Sequence, residues 1–311
     1  TEKSRIALTH KAILAIALPV MLSNISTPLI GVVDTAVVGQ LPDPSYVGAV
    51  AVGSLIFGFV FWAFGFLRMG TTGLTAQAFG AGENAEISSN LIRALAISFV
   101  IGVSLILLQW PIREAAFALL SGSEKVEGLA RSYFDIRICA APATLANYAL
   151  LGWFIGLGRT DIGLILQLVL NITNIALDAL FVVGFGWDVR GVAFGTLLAE
   201  WMATIVGVLI AMHYLQKFGG ITSHKRLFNV DQLKRTIIVN SDIMIRSMAL
   251  ILAHVWFMSQ GAKQGDIILA ANAVLMHLVA LSAFFLDGLA FSAETLVGRA
   301  IGAANRTGLI D

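Results

Sequence analysis

The stretch "GAVAVGSLIFGFVFWAFGFLRMGTTGLTAQAFGAGEN", residues 48–84, carries a single charged residue, Arg68, before Glu83. A helix needs about 20 apolar residues to cross a bilayer core of roughly 30 Å, and this run exceeds that length. Shifted by 222 positions, it lies over "AANAVLMHLVALSAFFLDGLAFSAETLVGRAIGAAN", residues 270–305, without a gap. Ala49 meets Ala271, Leu74 meets Leu296 and Gly80 meets Gly302, and the loop glycines Gly39 and Gly261 keep the same register. Two long apolar segments that share a register imply an internally repeated membrane protein.

Composition points the same way. Apolar residues make up 58% of the 311-residue chain and charged residues 13%, about half the charged share of a soluble domain. An all-α polytopic membrane protein is expected, with eight spans at about 12–37, 46–70, 88–110, 130–156, 161–186, 190–214, 237–261 and 267–300. Short connections carry turn signals, such as "GQLPDPSY" and "GLGRTD", and the longest polar one is "QKFGGITSHKRLFNVDQLKRT". The repeat restarts after six spans, so its copies share one orientation, related by an axis along the membrane normal. The expected organisation is an N-terminal six-helix bundle over 1–216, a cytoplasmic connection over 217–236, and the start of a second bundle over 237–311. The second copy is about four helices short.

Lys and Arg collect on one side: Lys3, Arg5 and Lys11, then Arg93, Arg159, Lys217, Lys225, Arg226, Lys234 and Arg235. By the positive-inside rule that side is cytoplasmic. The expectation is a multi-pass protein of the inner (plasma) membrane with its N-terminus inside. The opening "TEKSRIALTHK" is polar and shows no secretory signal. The lone Cys139 offers neither a disulfide framework nor metal-ligand spacing. Basic residues that only flank spans give no surface for nucleic acid. The expected working unit is a monomer in a lipid bilayer.

Chemistry should sit where polar groups interrupt the apolar runs, because an ionisable side chain at mid-bilayer costs at least ~2.5 kcal/mol and normally faces the protein interior. Asp34 stands in "NISTPLIGVVDTAVVG", residues 24–39, and lines up with Ser23, Thr27 and Gly31 at helical spacing. Taking a carboxylate out of water disfavours its charged form, so an acid on a cavity wall is placed to exchange a proton. A static, hydrogen-bonded Asp is the alternative. Pro19 and Pro28, on the same helix, withdraw hydrogen bonds from the carbonyls of Ala15 and Asn24 and make it bendable. In "LQLVLNITNIALDALF", residues 166–181, Gln167, Asn171, Asn174 and Asp178 fall on one stripe. Interhelical glue is the bland reading there; three amides and an acid exceed what it needs. On the sixth span Thr196 and Glu200 stand four apart, placed to close the same network.

Other charges read as structural. Arg131 with Asp135, and Asp242 with Arg246, have the spacing of local ion pairs. Arg68 is expected to snorkel to an interface, and His254 and His277 to pack. Asp287 and Glu294 share a face of the eighth span, with function and structure evenly matched. No HExxH, nucleophile elbow or P-loop is present. The chain is therefore expected not to be an enzyme, to use no cofactor, and to draw its energy from an ion gradient.

"LPVMLSNISTPLIGVVDTAVVG", "FLRMGTTGLTAQAFGAG", "PATLANYALLGWFIGLGRT" and "NITNIALDALFVVGFGWDVRGVAFGTLLAEW" resemble the multidrug and toxic compound extrusion (MATE) family, in particular its DinF-type branch. The resemblance implies twelve spans in two six-helix bundles, of which this chain covers the first and about two helices of the second. It implies export of amphipathic, often cationic drugs and toxins in exchange for protons or sodium ions through a cleft that opens alternately to either side. It also implies that Asp34 is the first-helix coupling aspartate, that Asn174, Asp178 and Thr196 form the polar network facing it, that Pro19 bends the helix, and that Tyr133 is a fourth-helix tyrosine near the network. The NorM-type branch carries a carboxylate inside its seventh helix; here "MALILAHVWFMSQ" has none, and Trp256 is the repeat counterpart of Asp34. Both departures favour H⁺ over Na⁺. The rival reading, a lipid-linked precursor flippase of the wider superfamily, calls for a cleft lined by several Arg or Lys, and the polar stripes supply none.

Overall fold

The structure, a computed structural model, describes residues 10–120, 123–218, 230–263 and 266–305. Lys3, Arg5, Lys225 and Arg226, and the side chains of Thr27, Pro28, Arg235 and His277, lie outside the described residues. A bilayer offers no water to backbone amides, so apolar runs satisfy them internally as helices. Among the described residues, eight helical stretches are long and apolar enough to cross a membrane: Ile13–Val38, Ser45–Ala81, Asn84–Leu107, Glu124–Gly156, Thr160–Gly184, Asp188–Lys217, Ile238–Phe257 and Leu278–Gly302. No strand occurs among them.

Three spans are irregular where the sequence demands it. The second breaks at Phe64–Gly65, between helices Ser45–Ala63 and Phe66–Ala81. The fourth passes through a 3-10 turn at Ile138–Ala140, between Glu124–Arg137 and Ala141–Gly156. Pro142 sits in the first turn of the second piece, where a missing N–H loses no helical bond. The fifth is α-helical over Thr160–Asp178 and continues as a π-helix over Ala179–Gly184. The first span, by contrast, stays helical from His10 to Val38 through both prolines. Pro19 leaves the Ala15 carbonyl without its helical donor, and the Thr160 hydroxyl donates to it at 3.4 Å.

The fourth span is the central column of the first bundle. Leu145, Leu150, Trp153 and Phe154 are fully buried along it, and Trp153 Nε1 donates to the Ile87 carbonyl at 3.0 Å. A short helix, Gln109–Leu119, is an addition to the expected elements. It exposes Trp110 and Leu119 and turns Arg113 and Glu114 towards the fourth span, a layout suited to the membrane interface.

That helix overturns one expected ion pair. Arg131 does not take Asp135; it grips both Glu114 oxygens, at 2.6 and 3.0 Å, while Arg113 bonds both Asp135 oxygens at 2.8 Å. Two-pronged contacts between guanidinium and carboxylate win over an in-helix neighbour worth ~0.3–0.5 kcal/mol. Nor does Arg246 pair with Asp242: its Nη2 lies 3.3 Å from the Met69 sulfur on the second span. Arg68 does not snorkel either. The break at Phe64–Gly65 turns it inward, with Cζ 4.5 Å above the Phe291 ring and Nη1 3.5 Å from Asn24 Oδ1.

The second and eighth spans cross where the repeat places equivalent residues. A Cβ on Gly80 would strike the Arg299 carbonyl, one on Gly302 would strike the Gln77 carbonyl, and Gly298 packs on Ala76. Each residue of the pairs Gln77–Arg299, Gly80–Gly302 and Ala76–Gly298 is 222 positions from its mate. The contact is reciprocal, as a twofold relation between two copies requires.

Candidate functional site

The polar stripe of the fifth span divides into two halves. The Gln167 half ties helices together: Gln167 Nε2 donates to Asn171 Oδ1 at 3.0 Å, and Asn171 Nδ2 donates to the Ser26 carbonyl of the first span at 3.2 Å. The Asp178 half makes a buried polar cluster. Asn174 Nδ2 donates to Thr196 Oγ1 of the sixth span at 3.2 Å, and Thr196 donates to its own helix at the Val192 carbonyl. The Asp34 carboxyl meets that of Asp178, with Asn174 beside them. Asn174 and Asp178 are 0% exposed and Asp34 is 3% exposed. Gly195 opens the space: a Cβ there would strike Asp178 Oδ1.

Asp34 Oδ1, both Asp178 carboxyl oxygens and Asn174 Oδ1 are buried and receive no N–H or O–H from the described residues. Two carboxylates offer each other only acceptors. A proton held between them supplies the missing donor, and a cation supplies the missing charge. The arrangement is therefore suited to exchanging one for the other.

Tyr133 stands close to this pair. Its ring occupies the space a Cβ on Gly53 would need and meets Phe57 edge-on at 6.3 Å, and both aspartates lie within its electrostatic range. Glu200 does not close the Asp34 network. It accepts Asn147 Nδ2 at 2.8 Å, and Thr204 Oγ1 donates to Asn147 Oδ1 at 3.0 Å. One turn beyond Thr196, the sixth span faces the fourth rather than the first, so Glu200 joins a neighbouring cluster. The first-span line is also interrupted: Gly31 is exposed with open space where a Cβ would go, and the buried polar residues are Asn24, Ser26 and Asp34. Pro19 is half-buried.

Arg137, Asn147 and Gly195 escaped the sequence reading. Arg137 follows Tyr133 by one helical turn, and that spacing was the available signal.

A second polar region lies between the second, seventh and eighth spans. Arg68, Arg246, Asp287 and Glu294 line a cavity of about 580 Å³ together with apolar groups such as Trp62 and Phe284. The charges are two of each sign.

Eight helices long and apolar enough to cross a membrane, a reciprocal contact between two copies of one repeat, and acids buried inside the first bundle define a polytopic helical fold of the parallel-repeat class. The profile of the MatE family matches residues 19–180, a little over half of the chain, and the chain belongs to that family. It is similar to DNA damage-inducible protein F of Escherichia coli strain K12, 40% identical over 303 residues, covering 97% of this chain and 66% of that protein. A probable multidrug resistance protein NorM of Neisseria meningitidis is 27% identical over 195 residues, covering 61% of this chain and 42% of its own length. Among solved structures, a MATE in the bent conformation superposes with a TM-score of 0.86 at 21% identity, over 96% of this chain and 67% of that one. A MOP superfamily transporter from Pyrococcus furiosus gives 0.85 at 20%, over 96% and 66%. The solved structures agree in fold. The chain spans about two thirds of its Escherichia coli relative. The family is one of transporters, not enzymes.

Proposed function

We propose that the protein exports amphipathic or cationic drugs and toxins in exchange for protons by alternating access, with Asp34, Asp178, Asn174 and Thr196 as the coupling site. The observation that carries this reading is the meeting of two buried carboxyl groups from different helices. Cation and proton compete for the same oxygens. Cargo leaves outward when a proton arrives, and the bend reserve at Pro19 and Pro28 lets the first span move with it. Tyr133 packs beside the acids, Asn171 and Gln167 tie the fifth span to the first, and Glu200 anchors the adjoining cluster. Relatives named as multidrug resistance and multidrug export proteins support the cargo class. The middle of the seventh span carries no carboxylate, which favours H⁺ over Na⁺ as coupling ion. The positive-inside bias supports an inner-membrane protein with a cytoplasmic N-terminus.

One observation favours the flippase reading more than the sequence did, since Arg68 and Arg246 line the large cavity. Asp287 and Glu294 line it too and cancel their charge, so the pyrophosphate attraction that reading needs is absent.

The test is uptake of a cationic dye into everted vesicles with and without an imposed pH gradient. Gradient-driven uptake is expected in the native protein, and Asp34→Asn should lower it about 100-fold or more. Full activity in Asp34→Asn would sink the proposal.

A further inference from the structure

Arg137 ends the first half of the fourth span, immediately before the 3-10 turn at Ile138–Ala140. Arg131, two turns earlier, has carboxylates on its guanidinium. Arg137 has none. Its Nε and Nη1 are buried and meet no hydrogen-bond acceptor among the described residues, and its Cζ stands 5.5 Å above the Phe57 ring. A guanidinium taken out of water needs compensating charge. The groups in its electrostatic range are Asp34 of the first span, Asp178 of the fifth and Glu200 of the sixth, with Tyr133 on its own helix. The acid oxygens are unfilled as well, at Asp34 Oδ1 and at both positions of Asp178. Donors and acceptors thus lie buried within electrostatic range without bonding each other. Neither is committed.

We infer that Arg137 is the charge-selecting residue of this site, a resident cation within reach of both the Asp34–Asp178 pair and the neighbouring Glu200, against which a cationic cargo competes. This rests on the reading that cationic cargo reaches the Asp34 site. With Asp34, Asp178 and Glu200 all deprotonated, the acids within reach of Arg137 and the arginine itself sum to a formal charge of −2. Without Arg137 it would be −3, and a cation would bind too tightly to leave. The arginine tunes the site towards release, and its planar fork, fixed over Phe57, cannot follow the cargo out.

The experiment titrates tetraphenylphosphonium, a lipophilic cation, and triphenylphosphine oxide, its neutral analogue, into the purified full-length protein in detergent at one fixed pH. In Arg137→Gln the cation should bind about tenfold tighter or more, the neutral probe within about twofold of native, as expected for deleting one charge from a partly desolvated site. Arg137→Lys, which keeps the charge, should return the cation to within about threefold of native. Unchanged cation affinity in a folded Arg137→Gln would overturn the assignment. So would equal weakening of both probes, which would make Arg137 a packing residue. Should Arg137→Gln not fold, the double variant R137Q/E200Q, which restores the formal charge, should fold and bind the cation within about threefold of native; its failure to do so also overturns the assignment. Native protein that binds neither probe would remove the cation-export reading itself, and the role of Arg137 with it.

Discussion

The buried cluster between the first, fourth, fifth and sixth spans sets Asp34 against Asp178, with amides, a hydroxyl and one arginine around them. The cavity between the second, seventh and eighth spans sets Arg68 and Arg246 among Asp287 and Glu294 and surrounds them with aromatic and aliphatic groups. Like charges brought together out of water must gain or lose a proton or a counter-ion whenever their surroundings change. Equal numbers of opposite charges leave no net formal charge to be exchanged. On the proposed reading the first arrangement responds to ions and the second does not, even though both put acids inside a membrane protein.

The sharpest way to break that contrast is to neutralise one acid in each region. Glu294→Gln should lower dye export less than about fivefold and keep its response to a pH gradient, against about 100-fold or more for Asp34→Asn. Equal losses in vesicle uptake would mean that both regions couple ions. The frame holding the two regions comes next. Gly302→Leu forces a side chain into the Gln77 carbonyl and should cost about 2–3 kcal/mol, read as a lower melting temperature in detergent. Thr160→Val, which removes the hydroxyl on the Ala15 carbonyl, should cost about 1 kcal/mol and increase proteolysis near Pro19. An unaltered cleavage pattern would show that the hydroxyl holds nothing in place.

The smallest effect belongs to an exposed pair far from both regions. The Lys125 ammonium bonded to Asp43 holds its carboxyl down, from 3.8 to about 2. A carboxyl held below its unfolded value stabilises the fold above that value and loses the contribution as pH falls through the folded one. Lys125→Gln should therefore lower the melting temperature by a small, constant amount above about pH 5, and the difference should vanish as pH approaches 2. A penalty that grew on acidification would contradict the pairing.

Much of this was open to reading in the chain itself. Apolar length marks the spans because a bilayer admits few alternatives, and the register of Gly80 with Gly302 marks the crossing at which Gly80 meets Arg299 and Gly302 meets Gln77. The amide stripe ending at Asp178 was visible because a single uninterrupted helix preserves its spacing over Thr160–Asp178. Arg68 was misplaced for the opposite reason: it follows the break at Phe64–Gly65, after which helical counting no longer says which way a side chain points. Arg137 shares the unbroken helix Glu124–Arg137 with Tyr133, and its spacing alone did not reveal the acids of other spans around it. The pairs Arg131–Glu114 and Arg113–Asp135 join separate helices, and spacing along one helix carries no information about a neighbour's reach. Glu200 was assigned to the wrong cluster on the same ground: spacing placed it one turn from Thr196 without revealing the fourth span opposite it.

The π-helix at Ala179–Gly184 gives the fifth span a spare residue directly after Asp178. A π turn takes up about one residue more than an α turn. Tightening it to α geometry would therefore release that residue and swing everything beyond, the Trp187 corner included, by roughly 100° about the helix axis. Asp178 and the amides before it would keep their places. The slack lies on the far side of the carboxylate, so a change of turn type there would move the loop to the sixth span and leave the acid seated.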